Sequence, residues 1–266
     1  MPRDLIAHYG VASDRLTQMV IREIRKTHEH LLTGMLINVG QTILLVGVFY
    51  LMSTLSGLGT TMIRGDLLIY LITGVFLFNF HVRAMMAVLS AEGPSSPLMS
   101  HGPMTRSLAL SAAAIASLYS QITSVIIVFG LYHAFVEPVE LQHPLGLGAC
   151  MLLAWASGAA VGLGFGALRT SMGPKSASFL SQVYSRVNMV ASGQMFVANM
   201  LPAKILVWLG WNPVFHMIDQ ARGYAFLNYT PRFTTLEFPL LATGSLLVVG
   251  MLASNYADRR SRLSNI

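Results

Sequence analysis

Six stretches of the chain are long, apolar and nearly free of charge. They run roughly from Leu31 to Thr54, Leu67 to Ser90, Ser107 to Val136, Leu145 to Arg169, Phe179 to Leu201 and Phe238 to Tyr256. About 20 apolar residues at ~1.5 Å rise are enough to cross a ~30 Å hydrocarbon core. An isolated strand in lipid would leave backbone groups without partners, and these runs lack the alternation of barrel strands. All six are therefore predicted to be helical spans.

Three segments between or before the spans carry a different pattern. Across residues 11–30, Val11, Leu16, Met19, Val20 and Ile24 share one side of a helix, and Arg15, Arg22, Arg25 and Lys26 the other. This is the pattern of a helix lying in the membrane interface, although an ordinary basic flank has the same composition. Residues 91–106 hold Pro94, Pro97 and Pro103 with Gly93 and Gly102, which forbid a continuous helix, so a structured loop with a docking role is expected. Residues 202–236 are apolar but interrupted by Pro202, Gly210, Pro213, Gly223 and Pro231. They are too broken for a span and too apolar for a free loop. Short re-entrant or interfacial helices fit best, with Trp208, Trp211, Tyr224 and Tyr229 at interface depth.

Composition agrees with the pattern. Of 266 residues, 54% are hydrophobic and 11% charged, about half the charged share of a soluble domain. One integrated bundle over residues 1–266 is the expected organisation, with no signal peptide at its start. The formal net charge of +6 reflects basic residues beside apolar runs, so it points to membrane orientation and not to nucleic acid. If both termini are cytoplasmic, that side carries 13 Lys and Arg residues and the other four. The lone Cys150 lies inside an apolar run and reads as inert packing.

The candidate chemistry is sparse. Met172 to Ser176 resembles a phosphate loop, but Pro174 separates Gly173 from Lys175, so a cytoplasmic turn is expected. His28, Glu29 and His30 are adjacent, and a metal site on a helix needs ligands on one face. Gly158, Gly162 and Gly166 lie four apart and read as a close helix contact, within the protomer or across a dimer. Phe76, Phe78, Phe80, His81 and Arg83 gather at the end of the second span. The aromatics are candidates for a sugar-conducting channel, with lipid-facing bulk the favoured alternative, and Arg83 is expected to snorkel to the inner surface. Asp219 and Arg222, three apart on a short helix, are placed to pair. The spans hold almost no acids, which weighs against an intramembrane enzyme.

Four patches in order then carry a family resemblance: IREIRK (Ile21 to Lys26), YLITGVFLFNF (Tyr70 to Phe80), the loop with Pro103 and Arg106, and WNPVFHMIDQARGY (Trp211 to Tyr224). With the six-span layout, the chain resembles the membrane subunits of type-two ABC exporters of capsular polysaccharide, O-antigen or teichoic acid. It departs from the family at Gly34, which lacks the following Trp and Pro, and at Gly223, where Glu often follows the arginine.

The resemblance implies a homodimer with two ABC ATPase subunits, ATP and Mg being held by the partner and no cofactor by this chain. It implies a place in the bacterial inner membrane and periplasmic and outer-membrane export components downstream. It makes Arg22, Glu23, Arg25, Pro97, Pro103 and Arg106 candidates for coupling to the ATPase. Trp211, Asn212, Pro213, His216, Asp219 and Arg222 become candidates for an outer gate. The substrate expected is an acidic, lipid-linked polysaccharide. A drug or lipid exporter is the alternative, and a membrane-embedded glycan or lipid transferase a more distant one.

Overall fold

A computed structural model describes residues 14–25, 31–55, 67–91, 105–194, 196–227 and 229–263. The described residues are helical and contain no strand. In chain order the helices are α1 (14–25), α2 (Leu31–Leu55), α3 (Leu67–Ser90), α4 (Arg106–Phe135), α5 (Pro144–Met172), α6 (Pro174–Ala191), a 3-10 turn (Ala198–Met200), α7 (Ala203–Leu209), α8 (Pro213–Ala225) and α9 (Glu237–Leu263). Five of them, α2, α3, α4, α5 and α9, are long and apolar enough to cross a membrane. The chain is a multi-pass helical membrane protein.

The third helix is the centre of the bundle. It is buried almost all round, with Val75, Phe76, Leu77, Phe80 and Met85 excluded from any surface. Its closest neighbour is α5, and α9 packs on another side of α5. The glycines explain that closeness. A Cβ on Gly158 would stand 2.0 Å from the His81 carbonyl oxygen, and one on Gly162 would stand 2.7 Å from that of Met85. Two glycines one turn apart thus seat α5 on two carbonyls one turn apart on α3. The partner of the glycine face lies inside the protomer. Gly166 opens instead toward Arg106, 3.7 Å from its Cβ position. Trp155 of α5 donates its indole N–H to the Ala114 carbonyl (2.9 Å), which ties α4 to the same core.

The amphipathic reading of the N-terminal segment holds for residues 14–25. Met19 is buried against Ala109 and Ala112 of α4, with Leu16 and Val20 beside it, while Arg15, Arg22 and Arg25 are exposed. Residues 11–13 and 26–30, including His28, Glu29 and His30, lie outside the described residues, as do 92–104 with Pro97 and Pro103.

The fifth predicted span is corrected. Its helix starts at Pro174 and stops at Ala191 instead of running to Leu201. Lys175, Arg186 and Asn188 dilute its apolar content, and Gly193 turns the chain with φ +75°. A side chain there would be strained and would meet the Phe215 ring at 2.7 Å. The turn between α5 and α6 is equally sharp. Gly173 has φ +89°, and Pro174 takes the first helical position of α6, where no amide donor is needed.

Candidate functional site

The segment after α6 forms two short helices of opposite character. Helix α7 buries none of its residues, and Trp208 and Trp211 are exposed. Helix α8 is buried along its length, and its polar members His216, Asp219 and Arg222 are all under 8% exposed. Asn212 caps α8 by accepting from the Val214 amide (3.0 Å), and Pro213 occupies the first turn.

Arg222 is the largest fully buried side chain among the described residues. Its guanidinium donates to three carbonyls: Gly193 (2.8 Å), Gln194 (2.9 Å) and Phe196 (3.1 Å). The other face of the group stacks on the Tyr70 ring of α3, 3.6 Å from its centroid. Gly74 makes room for it, since a Cβ there would lie 2.7 Å from Nη2. The loop that follows α6 presents carbonyls with no helical partner in a buried place, and Arg222 gathers them.

Asp219 does not join this cluster, which corrects the expected pairing with Arg222. Its carboxylate accepts from the Tyr229 hydroxyl and from Thr234 Oγ1 (2.7 Å). Burial, then the Asp219 charge, push the Tyr229 phenol well above its ordinary range, so it remains a donor to that carboxylate. His216 works on the same stretch. Its Nδ1 accepts from the Thr235 amide (3.1 Å), and its Nε2–H donates to the Gly210 carbonyl (2.9 Å). His216, Asp219 and Arg222 thus fasten three different pieces of chain: the loop after α6, the approach to α9 and the turn after α7.

A second feature runs from the bundle core to α8. Ser157 Oγ donates to the Ala154 carbonyl (2.8 Å), so it accepts from His81 Nδ1–H (2.8 Å). His81 Nε2 then accepts from the Tyr184 hydroxyl (2.9 Å), and that oxygen accepts from Asn188 Nδ2 (3.4 Å). Asn188 Oδ1 accepts from Asn212 (2.7 Å), the residue that caps α8. One tautomer of a neutral imidazole satisfies every link. The seam joins α5, α3, α6 and α8.

The remaining candidates fall into two places. Phe76, Phe78 and Phe80 are buried inside the protomer, so the lipid-facing reading is overturned. Arg83 does not snorkel freely. It donates to Asn38 and to Gln41 (3.2 Å) on α2, and Asn38 in turn donates to Ser120 of α4 (2.9 Å). Arg22, Glu23 and Arg25 lie on α1, and Arg106 opens α4, away from the α8 cluster. Cys150 is buried, as expected for packing.

Among the described residues no group of three His, Cys, Asp or Glu side chains is placed to hold a metal ion. The arrangement at α8 is a set of fasteners whose partners are mostly backbone carbonyls and amides. Sequence reasoning missed Tyr70, Ser157, Tyr184, Asn188 and Thr234. Polar residues recurring inside apolar helices were the available signal, because a polar group at such depth must find a partner. Comparison with protein-family models and with curated protein sequences returns no match for this chain.

Proposed function

We infer that this chain is the membrane subunit of an ATP-driven exporter that moves an acidic, lipid-linked polysaccharide across a bacterial inner membrane. The observation that carries the reading is the α8 patch. Asn212, His216, Asp219 and Arg222, the residues of the most specific family-like motif, each hold a separate part of one folded-back segment on the bundle. A gate needs such a segment, closed by several small fasteners that a concerted motion can exchange.

In this reading both termini are cytoplasmic, as the Lys and Arg balance favours. Helix α6 is the fifth of six crossings. Its 18 residues extend about 27 Å, and residues 192–201 supply the remaining reach. Helices α7 and α8 are re-entrant from the outer side. The exposed apolar stripe of Phe179, Val183, Val187 and Val190 on α6 is the face offered to a second copy. Two ATPase subunits hold ATP and Mg and bind the inner side through α1 and the 91–106 loop. Their closure favours the outward-open conformation by differential binding, without chemistry in this chain.

The experiment is deletion of the gene in its native host, with complementation by the intact chain. Intracellular accumulation of a surface polysaccharide, reversed by complementation, is the expected result. Unchanged surface glycan with no paralogue covering the loss refutes it and favours a drug or lipid exporter.

A further inference from the structure

A cavity of about 300 Å³ opens at the arginine-bearing end of the bundle, between α3, α4, α5 and α9. Its polar wall is built by Arg106, Ser107 and Ser111 from the first turns of α4, and by Ser254 and Asn255 of α9. The opposite wall is apolar and includes Val88, Leu163 and Met251.

Four observations point to the chemistry of its occupant. Ser254 is 5% exposed yet makes no hydrogen bond among the described residues. On the same helix Ser245 donates to the Ala242 carbonyl, the local solution that Ser254 does not adopt. Ser111 and Asn255, also on this wall, make none among the described residues either.

The second observation is charge. Arg169 lies close enough to Arg106 for the two to repel each other, and Arg259 stands exposed one turn beyond Asn255. Among the described residues no acidic side chain lines the cavity. The third is the start of α4. Thr105 takes the amides of Leu108 and Ala109, while those of Arg106 and Ser107 begin the helix, where the dipole is positive. The fourth is size. The volume suits a small headgroup but not a whole lipid, so attached chains must leave along the apolar wall.

We propose that this cavity binds the phosphate headgroup of an anionic phospholipid from the leaflet at the arginine-rich end. Arg106 supplies the charge, Ser254 and Asn255 donate to phosphate oxygens, and Val88, Leu163 and Met251 carry the first methylenes. The proposal does not depend on what the chain transports.

Trp155 makes the test direct. It packs against Val88, Ala114 and Leu163 beside the cavity, whereas Trp208 and Trp211 are exposed. The full chain with Trp208→Phe and Trp211→Phe therefore reports from this place alone. It is reconstituted in nanodiscs of phosphatidylcholine, with equal mole fractions of either dibromo-phosphatidylglycerol or dibromo-phosphatidylcholine. Quenching of Trp155 is expected to be stronger with the brominated phosphatidylglycerol. Arg106→Gln is expected to lower that preference about fivefold, as one basic group near a lipid phosphate is worth ~1 kcal/mol. Ser254→Ala, a smaller change that keeps the helix, lowers it as well, and unchanged Trp155 emission in pure phosphatidylcholine checks the fold of both variants.

Equal quenching by the two lipids overturns the proposal. So does a preference that survives both substitutions in folded protein, since it then belongs to the general lipid annulus. Inorganic phosphate, compared with chloride at equal ionic strength, separates the sources. Lipid quenching that persists supports the lipid, and quenching abolished by phosphate assigns the site to the free anion and overturns the lipid reading.

Discussion

Replacing Arg222 tests whether the guanidinium fork holds α8 against the loop that follows α6. Arg222→Met keeps length and removes the three donors to Gly193, Gln194 and Phe196. Each buried carbonyl left without a partner costs about 1–3 kcal/mol. Against this, the variant no longer buries a charge, which offsets several kcal/mol in an environment without a hydrogen-bonded acid. The carbonyls outnumber the cation three to one, so the balance is a net loss of about 2–3 kcal/mol. For a chain of this size that lowers the thermal midpoint by about 5–10 °C.

Arg222→Lys sharpens the argument. It keeps the buried charge, but a point-like ammonium cannot spread over three carbonyls, and it loses the planar stack on Tyr70. The lysine variant is therefore expected to be no more stable than the methionine variant, against the usual ranking of conservative changes. The assay is thermal unfolding of purified protein in detergent, followed by the monodisperse fraction on size exclusion. A methionine variant as stable as the parent would refute the clamp. A lysine variant that restores full stability would refute the fork geometry and leave only charge.

The other predictions concern the core. Gly158→Ala places a methyl 2.0 Å from a carbonyl oxygen and is expected to abolish the folded, monodisperse protein. Gly164→Ala, six residues along the same helix with nothing within 4 Å, is expected to be neutral or to stabilise by up to about 1 kcal/mol. The same size-exclusion assay checks both, and equal behaviour would contradict the α3–α5 contact. Tyr184→Phe removes the donor to His81 Nε2 and should cost about 1–3 kcal/mol, read as a lower thermal midpoint, with no change meaning that the seam carries no stability. Asn212→Ala removes the α8 cap and its link to Asn188 and is expected to cost about 1–2 kcal/mol. Limited proteolysis of residues 202–236 should then quicken relative to the loops between α4 and α5.

The apolar runs at Leu31, Leu67, Ser107, Leu145 and Phe238 were sufficient to place the five long helices, because lipid leaves the backbone no alternative to helix. The glycine spacing in α5 likewise announced a close contact, and the sequence already marked Asn212, His216, Asp219 and Arg222 as a group. Partner choice was not legible. Asp219 and Arg222 are neighbours on a helix, yet one turns to Tyr229 and Thr234 and the other to the carbonyls after α6. Which of these a charge meets depends on where Gly193 turns the chain, a distance of about thirty residues away in sequence. The partner of the α5 glycines was open for the same reason, since spacing defines a face but not what approaches it. Local pattern determined which segments enter the membrane, because that is decided by transfer of each segment from water. Tertiary structure decided which buried polar groups meet, because satisfying them requires atoms brought together from distant helices.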